Sequence, residues 1–301
     1  MKNVVIILLL LANIISASTY IIPSEKLGTS ATNLVLGTSL FNEKSNALFN
    51  NDAKLNPSLN VQGFFTEIVE NNQVIIGSIT IPIKRFSIGI GYADQSIKGL
   101  RKTTKQGLSG QHFYTNQTYG YSNQQIKLSF SYLFDKKISI GSGINAYRST
   151  IDSLKGTGYG IDIGFKYTLS KNAKIAMSVK NLAATDINYS SYKEEIPMSF
   201  ELGIYSYITK RTHISLSAKR LTKKEDVDSD TLYNGGLIYK LTNQISLLGG
   251  VYQRDSITDN HLYYSGGIEL NVFPLSIEYG YRKSSYKENE NQHFFSVGVA
   301  I

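Results

Sequence analysis

Residues 125–148 read QIKLSFSYLFDKKISIGSGINAYR. In the first half, apolar side chains occupy every second position from Ile126 to Phe134, and Lys127, Ser129 and Ser131 lie opposite them. The second half alternates in the same way after the connection Asp135-Lys136. Successive side chains of a β-strand point to opposite faces, so a period of two indicates strands with one apolar face. Two such strands with so short a connection predict a β-hairpin.

The same alternation continues along the chain from residue 60. It predicts fourteen strands, which we place at 60–68, 73–81, 85–93, 125–134, 137–148, 159–169, 173–181, 197–208, 212–221, 233–241, 244–252, 262–271, 274–282 and 292–301. A β-strand that crosses a membrane needs ~9–11 residues. Single-chain bacterial barrels have an even number of strands. Both the strand lengths and the strand count therefore suit a membrane barrel.

The connections between these strands sort by length. One set is short: Pro82-Ile83-Lys84, Asp135-Lys136, Ser170-Lys171-Asn172, Thr209-Lys210-Arg211, Thr242-Asn243 and Val272-Phe273. The interleaved set is long, except for 69–72: it comprises 94–124, 149–158, 182–196, 222–232, 253–261 and 283–291. Barrels have short periplasmic turns at one rim and long surface loops at the other, whereas a soluble sandwich has no reason to sort its loops. We therefore predict an all-β fold, a 14-stranded antiparallel transmembrane β-barrel.

In lipid, the apolar faces of the strands point outward and the polar faces point into the lumen. The polar residues predicted to face the lumen are Lys127, Asp162, Lys166, Lys180, Glu201, Lys219, Lys240, Glu269, Glu278 and Arg282. Because both charge signs are present, we interpret them as a lattice of ion pairs rather than as a substrate track. Inward glycines such as Gly164, Gly203 and Gly280 are expected to ease strand bending and to leave space in the lumen.

The composition excludes several classes of protein. The 301 residues include no cysteine, which rules out a disulfide scaffold, a zinc ribbon and a cysteine nucleophile. The 21 tyrosines and 13 phenylalanines rule out a disordered chain. The four histidines have no spacing that suggests shared metal ligands, and we predict neither a metal site nor a cofactor: they are His112, His213, His261 and His293.

An outer-membrane lipase is the enzymatic alternative. His213 shares an inward face with Ser215 and Ser217. Residues i and i+2 of a strand are ~6.5 Å apart along the backbone, too far for direct contact between a nucleophile and its base. We therefore predict no catalytic residues.

Residues 1–17 have the three regions of a signal peptide, namely Lys2, an apolar run from Val4 to Ala12, and a small residue at Ala17. The run is shorter than the ~20 residues that a membrane-spanning helix needs. We therefore expect cleavage, export and localisation in the bacterial outer membrane, with its lipid as a partner. Export disfavours nucleic acid as a partner, despite the formal charge of +8.

Residues 18–59 lack the alternation and suggest turns and short helical pieces. A fourteen-stranded barrel is too wide for its own side chains to fill, since these suffice at ~8 strands. We therefore predict that residues 18–59 form an N-terminal hatch or plug, ahead of a barrel formed by residues 60–301. A floppy periplasmic tail is the alternative.

Residues 27–37 and 45–55 resemble the hatch of PorV/PorQ-type outer-membrane proteins, which are related to the FadL-type long-chain fatty-acid transporter barrels. The hatch motif is carried by Asn46, Ala47, Asn51, Asp52 and Ala53. Three further segments resemble strands of that family, at 156–164, 179–182 and 195–203. The family has Asn-Pro-Ala where this chain has Asn51-Asp52-Ala53. Proline fixes φ near −65°, so its loss predicts a less rigid hatch turn.

The resemblance implies fourteen strands, a plugged lumen and no enzyme activity. It further implies a barrel that passes or holds hydrophobic small molecules. The alternative is a non-transporting component of a secretion or surface-assembly system (type IX-like) that docks exported proteins, with secretion-system proteins as partners. An apolar pocket between hatch and wall would favour transport, whereas a filled lumen with an apolar patch on the long loops would favour docking.

Overall fold

The computed structural model describes residues 28–38, 40–41, 47–54, 58–69, 72–106, 111–190, 192–221, 231–254, 261–284 and 291–301. The expected signal peptide at 1–17 and the hatch-motif residue Asn46 lie outside the described residues. Within the described ranges, no helix is long and apolar enough to cross a membrane.

One antiparallel sheet contains all sixteen strands that the structure describes. They are β1 (Asn60–Val69), β2 (Asn72–Ile83), β3 (Phe86–Gln106), β4 (Gln111–Leu133), β5 (Ile138–Ile151), β6 (Leu154–Ser170), β7 (Ala173–Ala184), β8 (Ile187–Asn188), β9 (Lys193–Glu194), β10 (Ser199–Tyr207), β11 (Thr212–Leu221), β12 (Thr231–Lys240), β13 (Ile245–Arg254), β14 (His261–Val272), β15 (Leu275–Ser284) and β16 (Gln292–Ala300). Strands β8 and β9 form a short side hairpin. The other fourteen strands pair in chain order, and β1 pairs with β16 to close the sheet, with Asn60 opposite Ala300. The predicted fourteen-stranded antiparallel barrel is confirmed.

The short connections lie together at one end of the barrel, which we call the turn rim. They are 84–85, 134–137, 171–172, 208–211, 241–244 and 273–274. Three of these turns use the same device, in which a side-chain oxygen of Asp135, Thr209 or Thr242 accepts hydrogen bonds from two backbone N–H groups. Both ends of the barrel chain also lie here, since the N–H of Ile301 donates to the carbonyl of Leu59 at 2.9 Å. The opposite end is the loop rim.

Two of the predicted long loops are wrong, because 94–124 and 149–158 are largely strand. Strand β3 continues to Gln106 and β4 starts at Gln111, while β5 and β6 are joined by residues 152–153 alone. The apolar alternation ends at Tyr92 on the outer face of β3, although backbone pairing continues beyond it. Alternation indicates that one face of a strand contacts lipid. The extensions of β3 to β6 are polar because they project beyond the membrane.

The outer face of the barrel is an apolar belt. Along β6, for example, Tyr159, Ile161 and Ile163 are exposed, while Gly160 and Asp162 between them are buried. A belt of this kind on every strand is stable only in a lipid environment, which satisfies the apolar surface without competing for backbone hydrogen bonds.

Placing a charge in the belt is expected to destabilise the barrel. Ile163→Arg, near the middle of the outer face of β6, should lower the free energy of unfolding in lipid vesicles by about 2–4 kcal/mol. Thr157→Arg, on the same face beyond the last belt residue Tyr159, is the control and should cost far less. Denaturant titration of both variants tests the belt. Equal losses of unfolding free energy in the two variants would contradict the position of the belt.

The described N-terminal residues lie inside the barrel. Helix α1 (Ala31–Leu36), helix α2 (Ala47–Asn50) and a 3₁₀ turn (Asp52–Lys54) together form what we call the lumenal segment, residues 28–54 without the undescribed positions. Helix α1 contacts β12 to β16, α2 contacts β3 and β4, and the 3₁₀ turn contacts β4 to β6. The main apolar core of the protein lies between segment and wall: it comprises Ala31, Leu34, Leu48, Phe49, Phe64, Val74, Ile76, Ala93 and Phe294.

Candidate functional site

Helix α1 is held at its start by side chains of the barrel wall. The N–H of Ala31 donates to Ser296 Oγ at 2.8 Å, and the N–H of Thr32 donates to the Glu278 carboxylate at 3.1 Å. Ser30 caps the helix by accepting from the N–H of Asn33. These contacts satisfy three of the backbone donors that a helix leaves open at its N-terminus, and the carboxylate is favourable there. The wall thus replaces the water that would otherwise solvate this helix end.

The end of α1 is fixed in the same manner. The carbonyl of Val35 accepts from Ser265 Oγ at 2.6 Å, and Gly37 ends the helix with φ of 67°. A Cβ at Gly37 would lie 2.7 Å from Cβ of Tyr252, so the close approach also requires glycine there. One residue further, Thr38 Oγ1 donates to the Glu201 carboxylate at 2.9 Å.

The turn at residues 51–53 rests on a surface that has no side chains. A Cβ added at Gly141 or Gly164 would lie 2.6 or 2.7 Å from the backbone nitrogen of Ala53, which is closer than real Cβ contacts come. A Cβ at Gly143 would meet Asp52 Oδ1 at 2.5 Å. We call these three glycines of β5 and β6 the glycine platform. They allow the backbone of the turn to lie directly against the wall.

Asn51 and Ala53 join the platform by hydrogen bonds. Asn51 Nδ2 donates to the carbonyls of Phe165 and Met177 at 3.4 and 3.1 Å, so it spans β6 and β7. Its Oδ1 accepts from the N–H of Ala53 at 3.0 Å, and the carbonyl of Ala53 accepts from Ser139 Oγ at 2.7 Å. The Asn51 side chain thus closes the turn locally.

Asp52 belongs to a buried ion cluster. Lys127 Nζ lies 3.1 Å from the Asp52 carboxylate and 2.5 Å from that of Asp162, and all three side chains are almost completely buried. Ser129 Oγ donates to Asp52 at 2.5 Å, and the N–H of Asn181 donates to Asp162 at 2.8 Å. The cluster ties the lumenal segment to β4 and β6 through one shared cation.

Burial raises the pKa of the Asp52 carboxyl, and the nearby Asp162 charge acts in the same direction, while Lys127 opposes both. A raised pKa means that the docked segment holds this proton more tightly than the undocked segment does. The Asp52 carboxyl therefore stabilises docking at pH values below the ordinary pKa of an aspartate. This contribution is lost as the pH rises through the raised pKa of Asp52.

An aromatic cluster lines the inner wall towards the loop rim, beyond α1. The rings of Tyr252 and Tyr263 stack at 5.3 Å, and the Arg282 guanidinium lies 5.1–5.5 Å from these rings and from Phe294. Arg282 also donates to the Gln292 side chain. Phe294 belongs at the same time to the core beneath α1. The Arg282 guanidinium therefore connects the tyrosine pair to the edge of that core.

A second cluster lies on the inner face of β5 and β6 near the loop rim. Ile187 and Tyr189 of the side hairpin pack with Tyr147 and Ile196. A Cβ at Gly156 or Gly158 would lie within 3 Å of Ile187, so these glycines admit the hairpin. The connection after β7 thus folds inward over part of the lumen.

The structure places the ten predicted inward residues as follows. Lys127, Asp162, Lys180, Glu201, Glu269, Glu278 and Arg282 are buried, Lys166 and Lys219 are partly exposed, and Lys240 is exposed at its strand end next to the turn rim. Three of them contact the lumenal segment directly, namely Lys127, Glu201 and Glu278. The hatch-motif residues Ala47, Asn51, Asp52 and Ala53 are all buried.

Among the described residues, no three His, Asp or Glu side chains are grouped so that they could hold a metal ion. Sequence reasoning missed the glycine platform and the wall serines Ser129, Ser139, Ser265 and Ser296. The sequence Gly141-Ser-Gly143 could have predicted the platform. Two glycines on one strand face, next to Gly164, indicate that another backbone approaches closely.

No protein-family model and no curated protein matches this sequence. Solved structures are similar to it in fold. The toluene transporter TodX of Pseudomonas putida has a TM-score of 0.66 at 12% identity, and the match covers 95% of this chain and 99% of that one. The toluene transporter TbuX of Ralstonia pickettii has a TM-score of 0.60 at 11% identity, with 90% and 97% covered.

A FadL homologue of Pseudomonas aeruginosa gives a TM-score of 0.58 at 12% identity, with 90% of this chain and 98% of that chain covered. At these identities the likeness establishes the fold, a FadL-like barrel, and nothing further. The resemblance to PorV/PorQ-type proteins stays a prediction.

Proposed function

We propose that this protein is an outer-membrane barrel that passes hydrophobic compounds without a catalytic step, and that residues 18–59 are its hatch. The observation that carries the proposal is the lumenal segment docked inside a closed FadL-like barrel by side chains of the wall. TodX and TbuX, which are similar in fold, are toluene transporters, and this supports a hydrophobic small molecule as the ligand. The proposal includes cleavage of a signal peptide at residues 1–17.

Apolar side chains between the lumenal segment and the wall suit such a ligand. Leu34 and Phe49 of the segment pack in one core with Phe294, and Arg282 lies between Phe294 and the Tyr252–Tyr263 pair. Aromatic faces and aliphatic side chains bind apolar compounds by excluding water from both surfaces. These side chains are buried, so passage of a compound requires the segment to shift.

Uptake by cells tests the proposal. A host whose outer membrane lacks its own channels for hydrophobic compounds should take up labelled toluene or oleate faster when it carries this protein. Uptake of a hydrophilic sugar of similar size should stay at the level of the empty host, because the segment closes the lumen to water. Equal uptake of both classes, or no gain for either hydrophobic compound, would overturn the proposal.

A second candidate function, docking of exported proteins in a secretion system, is favoured by one observation. Beyond the last pairs with β2 and β5, at Ile97 and Tyr121, strands β3 and β4 continue as a two-stranded ribbon. At its base the N–H of Asp152 donates to the carbonyl of Gly120, and Lys102 forms an ion pair with Asp152. Further out, the described ladder pairs join β3 and β4 only to each other. Unpaired strand edges can accept a strand from another protein. Removing residues 98–120 would abolish co-purification of an exported partner if docking is the function, and would leave hydrocarbon uptake intact.

A further inference from the structure

Basic side chains are concentrated on one side of the turn rim. Four neighbouring turns of the turn rim carry seven basic side chains, and the acid Asp135 is the only opposing charge in these turns. The basic residues are Lys84, Arg85, Lys136, Lys137, Lys171, Lys210 and Arg211, all of them exposed. We call them the basic arc, since their turns follow one another around the barrel from β2 to β11. The two remaining turns, 241–244 and 273–274, contain no charged side chain.

The connections of the opposite rim differ in charge from one another. By sequence alone, the segments 222–230, 255–260 and 285–290 contain eight acidic residues and three lysines, whereas Lys98, Arg101 and Lys102 make the ends of β3 and β4 basic. On the turn rim, the basic residues are concentrated on one side.

The basic arc lies where the apolar belt ends. Phe86, Tyr132 and Phe134 form an aromatic row on the outer face, with ring centroids 4.6 and 4.7 Å apart. Phe86 and Phe134 are exposed and Tyr132 is partly exposed, directly beside the turns that hold Arg85 and Lys136. Aromatic rings with flanking basic residues are typical of the depth at which lipid head groups lie. Long basic side chains reach that level by extending their charged ends along the apolar surface.

We propose that the basic arc binds the phosphate groups of anionic phospholipids in the leaflet that the turn rim faces, and so collects these lipids along the β2–β11 wall. Clusters of Lys and Arg at a membrane surface attract anionic lipids. The turns are too short to form a groove that would hold a folded acidic protein. They present a flat charged border, which suits lipid head groups. The β12–β15 side, without charged turns, should show no such enrichment.

Spin-labelled lipids test this with the full protein reconstituted in vesicles. Phosphatidylglycerol should associate with the wild-type barrel at least about fivefold more strongly than phosphatidylcholine, which is the effect of roughly one basic residue near the surface. Replacing all seven arc residues by glutamine should bring the ratio close to one. Raising the salt concentration should lower the wild-type ratio, since exposed charges are screened.

The matched control removes exposed basic residues from the loop-rim side, as Lys98→Gln, Arg101→Gln, Lys155→Gln and Lys193→Gln. It should keep the wild-type preference. If the sevenfold variant fails to show heat-modifiable migration, the pairs Lys84→Gln/Arg85→Gln and Lys210→Gln/Arg211→Gln are compared instead, and each should lower the ratio partly.

A wild-type ratio near one would overturn the proposal, and so would a preference that the arc variants retain. Binding of an acidic periplasmic protein to the arc, with no preference among lipids, would also overturn it.

Discussion

Replacing Gly141 by leucine is expected to release the turn at residues 51–53 from the wall and to open the barrel to small ions. A Cβ at this position would meet the backbone of Asp52 and Ala53, with the Ala53 nitrogen at 2.6 Å, and leucine adds three further carbon atoms. Backbone atoms cannot rotate away as a flexible side chain can. Overpacking costs about 1–3 kcal/mol in an ordinary core, and undocking here also dissolves the ion cluster.

Single-channel conductance in planar bilayers measures this effect. The wild-type protein should show little steady conductance, and Gly141→Leu should show long-lived open events. The matched control is Gly249→Leu, because Gly249 is on the outer face of β13 and a Cβ there meets nothing within 4 Å. If both variants conduct alike, the glycine platform does not hold the segment.

Replacing Lys127 by methionine is expected to cost the barrel about 3–5 kcal/mol of stability, because two buried carboxylates lose their shared cation. Asp52→Asn should cost much less, because Lys127 keeps the nearer carboxylate of Asp162 at 2.5 Å and the asparagine amide can still accept from Ser129. The free energy of unfolding, measured by denaturant titration in lipid vesicles, distinguishes these outcomes. Lys166→Met, which removes a partly exposed lysine from the inner face of β6, is the control and should have a small effect.

A rescue variant shows whether the charge or the packing is responsible. The triple change Asp52→Asn, Lys127→Met and Asp162→Asn removes every formal charge of the cluster, and it should recover most of the stability lost by Lys127→Met alone. Recovery would show that the cost comes from buried unpaired charge. A triple variant as unstable as Lys127→Met would show that the lysine acts through packing.

The strands could be predicted from sequence because lipid imposes a period of two on every crossing. Beyond Tyr92 and Ile126 that constraint ends, and Asp94 faces Gln124 in a ladder that no apolar pattern marks. The apolar pattern therefore predicts loops where the structure has extended hairpins. The alternation indicates only the part of each strand that crosses the membrane, and not the full length of the strand.

The contacts of the lumenal segment were less accessible to sequence reasoning. A buried Asp52 requires a cation, and the sequence predicts that Lys127 faces the lumen. Their pairing depends on barrel closure, which brings residues 75 positions apart into contact. Neither periodicity nor local spacing carries that information. The residue types were predictable, whereas the partners were not.

Thiol labelling tests the central claim, that the N-terminal segment fills the lumen of a closed barrel. The chain has no native cysteine, so single variants Ala31→Cys, Ala53→Cys and Gln117→Cys each give one signal. Ala31 and Ala53 are buried against the wall, and Gln117 is exposed on the ribbon. In folded barrels, a membrane-impermeant maleimide should label position 117 rapidly and positions 31 and 53 only after unfolding. Equal labelling rates at all three positions would contradict the account.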